Sequence, residues 1–297
     1  MPQRVPYRRI TSFKCMKSKE GKDGVSFVSV FERLQGKYRR TMAEAFGQRL
    51  VPMHNLTPII SFTFDDFPLS ALEVGGTFLC QYGLAGTYYV SLGLLDHEEA
   101  VGRICSRLHL NDVLAQGHEL GCHTFGHCDA WDTEPHLFEK ELIKNQRALQ
   151  NFLPGTSFKT MSYPISTTPR PTTKRQTGLR FACCRTGGQT NNVGTVDLNY
   201  VRSFFLEQSR KDPSVIWNLI DYNSANKGWL VFSTHDIAPQ PTRYGCTPEF
   251  FFEVVRRAVD SQSRILPVID ALKEVLAPPL NLPISPSTRH AADWSLA

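Results

Sequence analysis

The chain has 297 residues, of which 41% are apolar and 21% are charged, and its net charge is +5. These values are ordinary for a globular protein with one large domain or two small ones. No segment approaches the roughly 20 consecutive apolar residues that a membrane-spanning helix needs, so we expect no transmembrane segment. The first residues lack the apolar core of a secretory signal. We therefore expect a cytoplasmic location and eight reduced cysteines.

The positive charge is concentrated near the N-terminus. Residues 1–40 hold eleven Lys and Arg residues against three acidic ones, a local charge of +8. We interpret residues 1–56 as a basic N-terminal extension, and peripheral contact with an anionic membrane is an open alternative. The rest of the chain offers no basic-aromatic platform, so we expect no nucleic-acid partner. Residues 278–297 lack periodicity and are predicted to be a flexible tail, which leaves a domain over 57–277.

Apolar runs of strand length alternate with helix-length segments after residue 57. In chain order the predicted elements are a strand at 58–64, a helix at 71–82, a strand at 86–92, a helix at 100–116, a strand at 119–122, a helix at 135–153, strands at 159–163, 181–184 and 229–233, a helix opened by Thr247 and Pro248, and a strand at 264–267. This alternation predicts an α/β fold with a mostly parallel sheet, either open or closed into a barrel.

Polar clusters come directly after four of the predicted strands. They are Asp65-Asp66, His123, Tyr163-Pro164 and His235-Asp236. In β/α barrels the carboxyl ends of the strands build the active site. The four clusters are therefore predicted to share one rim.

Asp65 and Asp66 reach the same site only if the strand breaks at this point, because successive side chains on a strand face opposite ways. One carboxylate could then bind a metal ion while its neighbour acts as a base. A helix N-cap is the structural alternative for such a pair.

His123 and His127 lie four residues apart in a glycine-containing segment. Two imidazoles and one carboxylate make a three-ligand set that leaves a position of a divalent ion open for water, as in catalytic zinc sites. Two unrelated surface histidines are the alternative. Cys122 and Cys128 flank the pair and are less favoured ligands.

His235 follows the very apolar residues 229–232 and could protonate a leaving group across the site from the base. A buried histidine bonded to its neighbour is the alternative. No G-x-S-x-G elbow accompanies it, which disfavours nucleophilic serine catalysis.

Three motifs together resemble the polysaccharide deacetylase family, also described as NodB-homology or carbohydrate esterase family 4. They are residues 63–66 (TFDD), residues 117–127 (GHELGCHTFGH) and His235-Asp236, with residues 84–90 similar to the second strand of the family. The resemblance implies a distorted (β/α) barrel and metal-dependent removal of an N- or O-acetyl group, with N-acetyl expected first, from a saccharide or glycoconjugate. It implies Asp65 as base, a water on the metal as nucleophile, Asp66, His123 and His127 as ligands, and His235 as acid.

The resemblance also implies one divalent ion, zinc first, with cobalt, nickel or manganese as alternatives. The third motif usually reads Arg-x-Pro-Tyr, but residues 162–165 read Ser-Tyr-Pro-Ile and lack the Arg that orients the base. By resemblance to a Tyr-Pro branch, Tyr163, Pro164 and Ile165 form the oxyanion and substrate segment, with the N–H of Ile165 as oxyanion donor.

Two further departures concern His235. Its carboxylate partner is unplaced, with Asp197 and Asp221 as candidates, and Ser233 stands where the family usually has Leu. The alternative functions are therefore hydrolysis of another small amide, such as a formyl group or ureide, and a catalytically silent carbohydrate-binding relative. Tyr163 is also a candidate for stacking on a sugar ring.

Overall fold

The computed structural model of the chain describes residues 27–166 and 168–277. The chain divides into two compact units, residues 1–38 and residues 39–297. Residues 1–26 and the predicted tail lie outside the described part. The flexibility of the tail therefore stays a prediction, and membrane contact of the basic segment stays an untested alternative.

Eight α-helices are described. They are α1 Phe27–Ala45, α2 Thr77–Gln81, α3 Arg107–Ala115, α4 Pro135–Phe152, α5 Pro171–Arg180, α6 Ser214–Ala225, α7 Pro248–Asp260 and α8 Val268–Leu276. A π-helical turn, Ala71–Gly76, precedes α2, and 3-10 turns occupy Leu92–Leu94, Pro164–Ser166 and Leu206–Ser209.

Thirteen strands are described. They are β1 Leu50–Pro52, β2 Ile59–Phe64, β3 Thr87–Val90, β4 Glu98–Glu99, β5 Gly102–Arg103, β6 Glu119–Cys122, β7 Thr160–Ser162, β8 Cys183–Thr186, β9 Thr195–Asp197, β10 Val201–Arg202, β11 Phe204–Phe205, β12 Trp229–Thr234 and β13 Arg264–Ile265.

Nine of these strands form one parallel sheet that curls into a nearly closed barrel. Its order is β10-β8-β7-β6-β3-β2-β12-β11, and β13 adds to β2 at Ile59 and Ile60. The sequence left open whether the sheet closes, and the family resemblance implied a barrel. The structure confirms the predicted fold class.

The central strands β2 and β12 are buried along their whole length, as expected for parallel strands covered on both faces. Phe62 of β2 packs against Phe232 of β12, with ring centroids 5.6 Å apart, and against Phe251 of α7 at 5.7 Å. This aromatic packing fixes the strands whose carboxyl ends carry Asp65 and His235.

The helix predicted over 100–116 is wrong in its first third. Residues 98–103 form the hairpin β4-β5, and α3 begins only at Arg107. Gly102 has a φ of +94°, which a right-handed helix does not allow. Ser106 and His109 then form a capping box that starts α3.

Part of the predicted extension is bonded to the barrel. Strand β1 pairs antiparallel with β9, and the guanidinium of Arg49 donates to the carbonyls of Phe181 and Ala182. The seven cysteines in the described residues are unpaired. None of the described helices has the length and apolar character that crossing a bilayer requires.

Candidate metal and catalytic site

The carboxyl ends of β2, β6, β7, β8 and β12 meet at one rim of the barrel. Asp65 and Asp66 follow β2, and the backbone turns sharply there because Asp66 and Phe67 have φ values of +63° and +57°. Consecutive left-handed residues break the alternation of the strand. Both carboxylates can therefore serve the same end of the barrel, and both are buried.

Asp66, His123 and His127 converge as the sequence predicts. One ligand atom from each lies within 4.8 Å of the others. Oδ1 of Asp66 is 3.3 Å from Nε2 of His123 and 2.9 Å from Nε2 of His127. His123 directly follows β6. The loop after it brings the His127 side chain back toward His123, with left-handed backbone at Thr124 and His127.

The donor set fits a divalent metal ion. Nδ1 of His123 lies 2.8 Å from the carbonyl oxygen of Ser162, which as an acceptor assigns the proton to Nδ1 and leaves the Nε2 lone pair facing Asp66. Oδ1 of Asp66 is buried and has no contact with the geometry of a hydrogen bond. Two imidazole nitrogens around a buried, unbonded carboxylate oxygen are what a tetrahedral ion with an open position needs. Neither Cys122 nor Cys128 belongs to this cluster.

The charges in the cluster support each other. Burial alone would raise the pKa of Asp66, but His123 and His127 hold the pKa of this carboxyl well below its usual value. Burial opposes protonation of His127, yet Asp66 raises the pKa of this imidazole. The pocket thus stabilises an ionised carboxylate beside a positive charge. A bound cation would be stabilised by the same carboxylate.

Asp65 is held by an arginine that sequence reasoning missed. Nη2 of Arg185, in β8, donates to both carboxylate oxygens of Asp65 and to Oγ of Ser162, and Nη1 donates to Ser203 Oγ at 2.8 Å. Ser233 Oγ donates to Asp65 Oδ2 at 3.2 Å. Burial would raise the pKa of Asp65, but Arg185 foremost lowers it. Asp65 is therefore kept ionised and fixed.

This arrangement corrects the expectation that the base lacks an orienting arginine. The third motif has none, but Arg185 of the next strand supplies the guanidinium, with its side chain only 1% exposed. The sequence held a signal for it. Arg185 ends the apolar run over 181–184, and a charge at the end of a buried strand points to a partner at the rim.

His235 lies beside this cluster, after β12. Its Nδ1 is 3.2 Å from the carbonyl oxygen of Tyr244, and its Nε2 is 4.0 Å from Asp66 Oδ2. Its ring centroid is 6.3 Å from that of Phe205 and 5.5 Å from that of Tyr244. A backbone carbonyl therefore orients His235 where the sequence led us to look for a carboxylate.

The two carboxylates considered for that role lie elsewhere. Asp197 forms an ion pair with Lys174 at 2.6 Å, and Asp221 forms one with Arg257 at 2.8 Å. Neither is among the contacts described for His235. Ser233, in the place of the usual Leu, contacts Asp65 instead.

The segment 163–165 presents backbone to the rim. Ile165 has a φ of +61° and a ψ of +14° and is 56% exposed, an unusual conformation for a β-branched residue. Tyr163 is buried, its hydroxyl donates to the carbonyl of Asn199 at 3.4 Å, and its ring packs near Phe138. This placement corrects the expectation that the Tyr163 ring contacts a sugar. Pro164, between Tyr163 and Ile165 in the chain, is also buried.

Comparison with known proteins agrees with this geometry. A family model described as polysaccharide deacetylase matches residues 55–182, the part that carries Asp65, Asp66, His123 and His127. This part of the chain is similar to the polysaccharide deacetylase family. Proteins of that family are hydrolases of carbon–nitrogen bonds other than peptide bonds. A comparison with curated proteins gave no significant match.

Solved structures of this family share the fold at low sequence identity. The chitin deacetylase of Colletotrichum lindemuthianum is 13% identical, with a TM-score of 0.51 and coverage of 78% of this chain and 94% of that one. A family 4 acetyl xylan esterase of Clostridium thermocellum, in complex with cobalt, is 18% identical, with a TM-score of 0.51 and coverage of 72% and 90%. A Bacillus anthracis pseudoenzyme, BA3943, is 9% identical, with a TM-score of 0.52 and coverage of 74% and 67%.

Proposed function

We propose that the chain is a metal-dependent deacetylase that removes an acetyl group, N-acetyl first, from a saccharide or glycoconjugate. The observation that carries the proposal is the convergence of Asp66, His123 and His127 beside an ionised Asp65 and an oriented His235. The match of residues 55–182 to the deacetylase family model supports the same chemistry.

Asp66, His123 and His127 are the residues that would hold the ion. A divalent ion bound there supplies a water of lowered pKa and polarises the acyl carbonyl. Two nitrogens and one carboxylate oxygen favour zinc, with cobalt, nickel and manganese as alternatives. The Ser162 carbonyl, which bonds Nδ1 of His123, would keep this ligand in its binding tautomer.

Asp65 is the proposed base. Arg185 and Ser233 hold its carboxylate, so the group stays ionised and cannot rotate away from the rim. His235 is the proposed acid, because the Tyr244 carbonyl fixes Nδ1 and leaves Nε2 toward the cluster, where it can protonate the departing amine. The N–H of Ile165 is the proposed donor to the developing oxyanion.

Arg185 weakens the case for a catalytically silent relative. That alternative depended on the missing arginine and the unplaced partner of His235. The structure shows a guanidinium on Asp65 and a carbonyl on His235, so both groups have a partner. Hydrolysis of a formyl group or ureide would differ from deacetylation only in the acyl group that is removed. The released product distinguishes these reactions.

The decisive experiment measures product release. The full chain is stripped with a chelator, reloaded with zinc, cobalt, nickel or manganese, and incubated with chitin oligosaccharides, acetylated xylan and N-formyl and ureido analogues. We expect acetate from the chitin oligosaccharides, activity that disappears with the chelator, and one bound ion per chain. Release of formate alone would show that the chain hydrolyses a different small amide. If the chain releases no product with any of the four ions, the proposal is refuted.

Three variants separate the roles, with Asp112→Ala, an exposed position on α3, as a control that keeps activity. Asp66→Ala should lose the bound ion and the activity together. Asp65→Asn and His235→Ala should keep the ion and lower kcat about 10²- to 10⁴-fold, the usual contribution of a general base or acid. Metal stoichiometry by atomic absorption and kcat by acetate release give both readouts. An Asp65→Asn variant with full kcat would contradict the base assignment.

A further inference from the structure

The carbonyl that orients His235 belongs to the loop between β12 and α7. Tyr244 O lies 3.2 Å from Nδ1 of His235, and because a carbonyl oxygen only accepts, Nδ1 is the donor. The two residues are nine positions apart in the chain. The position of the carbonyl therefore depends on what holds the loop in shape.

Asp236, the residue after the proposed acid, holds this loop from within. Its carboxylate is buried and accepts two hydrogen bonds from one residue: Oδ2 from the N–H of Thr242 at 2.8 Å and Oδ1 from the Thr242 hydroxyl at 2.5 Å. The Thr242 hydroxyl in turn accepts from the N–H of Tyr244 at 3.2 Å. Asp236 is thus connected through Thr242 to the residue whose carbonyl bonds His235.

The backbone of the loop closes around this carboxylate. The N–H of Cys246 donates to the carbonyl of Asp236 at 3.0 Å, and the N–H of Gly245 donates to the carbonyl of Thr242 at 3.3 Å. A Cβ at Gly245 would collide with the carbonyl oxygen and with the carboxylate of Asp236. Because Gly245 lacks a positive φ, it is the close approach to Asp236 that requires a glycine here.

Arg210 holds the same loop from outside. Its guanidinium donates to the carbonyls of Thr242 and Arg243, at 3.1 and 3.3 Å. These contacts are exposed, and water competes for them. The buried carboxylate of Asp236 meets less competition from water, so it is the stronger constraint on the loop.

The contacts of Asp236 distinguish a positioning role from a chemical one. Both of its carboxylate oxygens face Thr242. Asp236 is also not a member of the ligand cluster formed by Asp66, His123 and His127. Its carboxylate can therefore act on the reaction only through the loop.

We propose that Asp236 is a positioning residue for the acid. Through Thr242 it fixes the Tyr244 carbonyl, which keeps a proton on Nδ1 of His235 and leaves Nε2 directed at the leaving group. The inference rests on the proposed function, since it needs His235 to protonate the departing amine. If the carbonyl moves, the His235 ring can rotate and its neutral form can carry the proton on either nitrogen, and a displacement of about 1 Å is enough to slow catalysis.

The experiment uses the zinc-loaded full chain and two substrates that differ in their leaving group. Departure of the amine from chitotetraose needs a proton from the acid, whereas para-nitrophenolate leaves para-nitrophenyl acetate without one. A misplaced acid therefore slows the first reaction and spares the second. A general disturbance of the fold or of the metal site slows both.

Three variants change the contact by degrees. Asp236→Ala removes both acceptors, and Thr242→Val removes only the hydroxyl. Asp236→Asn keeps an oxygen for the N–H of Thr242 and offers an N–H to its hydroxyl. Asp212→Ala is the matched control, because Asp212 Oδ1 accepts from the N–H and the hydroxyl of Ser214, at 3.2 and 2.5 Å, in an exposed turn before α6.

We expect Asp236→Ala to lower kcat for chitotetraose about 10- to 100-fold with KM unchanged, and to alter kcat for para-nitrophenyl acetate by less than about twofold. Thr242→Val should show the same selectivity with a smaller loss. Asp236→Asn should stay within about threefold of the parent on both substrates, because it restores the contacts. Asp212→Ala should change neither reaction.

Heteronuclear NMR of the His235 side chain gives a readout that is independent of turnover. The neutral ring of the parent should carry its proton on Nδ1, and so should the ring of Asp236→Asn. In Asp236→Ala the two tautomers should mix, since the acceptor that selects one of them is displaced.

Equal losses of kcat on the two substrates would show a structural role and overturn the inference. An unchanged kcat and tautomer in Asp236→Ala would overturn it too, as would an Asp236→Asn variant impaired as strongly as Asp236→Ala. If Asp236→Ala does not fold, Thr242→Val decides by the same readouts. If the parent releases no acetate from chitotetraose, the proposed function fails, and the tautomer comparison still decides whether Asp236 positions His235.

Discussion

The two ends of the barrel treat buried carboxyl groups differently. At the end where the strands begin, Glu119 of β6 accepts hydrogen bonds from Thr87 Oγ1 at 2.9 Å, Thr160 Oγ1 at 2.5 Å and the N–H of Ile269 at 2.9 Å. At the opposite rim Asp65 is bonded just as fully, whereas Asp66 Oδ1 faces only the Nε2 atoms of His123 and His127. A buried carboxylate oxygen surrounded by imidazole nitrogens marks a place where a cation can complete the structure.

The backbone differs in degree between the two ends. Asp66, Thr124, His127 and Ile165 at the rim all have positive φ values, between +54° and +63°. At the other end Lys227 and Gln262, in the turns before β12 and β13, have φ values of +49° and +57°. Left-handed non-glycine residues cost stability, and at the rim four of them aim groups at the site.

The largest expected effect is at the rim. Arg185→Ala leaves Asp65 buried without its cation, so unfolding free energy should fall by about 3–5 kcal/mol. Arg180→Ala is the control, because it breaks a partly exposed pair with Glu139 and should cost less than about 1 kcal/mol. Urea unfolding measures both.

Adding Asp65→Asn to Arg185→Ala should restore part of the lost stability, since the unpaired charge is gone. A double variant no more stable than Arg185→Ala would show that the arginine acts through packing, and the contrast between the two ends would then not be electrostatic.

Glu119→Gln gives the second test, at the opposite end. The amide nitrogen must face a group that already donates, so stability should fall by about 1–3 kcal/mol while the Kd for chitotetraose stays unchanged. The same substitution at Glu207, which follows β11 at the rim and whose buried Oε2 has no hydrogen bond with a described residue, should spare stability. Thermal unfolding measures the stability of both variants. Equal losses of stability in Glu119→Gln and Glu207→Gln would show that the two ends of the barrel do not differ in this way.

Ile165→Gly should cause the smallest change in stability. Glycine adopts a φ of +61° without a Cβ clash and keeps the N–H, so stability should rise by up to about 1 kcal/mol with kcat retained. Ile165→Val keeps the β-branch and should give no such gain. A destabilised glycine variant would show that the exposed side chain stabilises the fold and that strain is not its main energetic feature.

The sequence predicted the site where its parts are local. His123 and His127 belong to one segment, and Asp65-Asp66 follow a recognisable buried strand, so spacing and strand ends made them candidates and the family resemblance assigned their roles. Arg185 could not be assigned to Asp65 in the same way, because 120 residues separate them and only the neighbouring positions of β7 and β8 bring the guanidinium across.

The partner of His235 escaped for a different reason. The acceptor is the backbone carbonyl of Tyr244, and every residue type has one, so no side-chain pattern identifies it. Short strands such as β10 and β11 were missed because two residues carry no periodicity. The long strands β2 and β12, which are buried throughout, were predicted nearly to the residue.

Ser162 joins the two halves of the site. Its carbonyl holds the imidazole of His123, while its hydroxyl contacts the guanidinium that grips Asp65. The first contact uses the backbone and would survive substitution of Ser162, whereas the second depends on its hydroxyl. A different residue at this position would therefore keep the orientation of His123 and lose one of the bonds that hold Arg185 against Asp65.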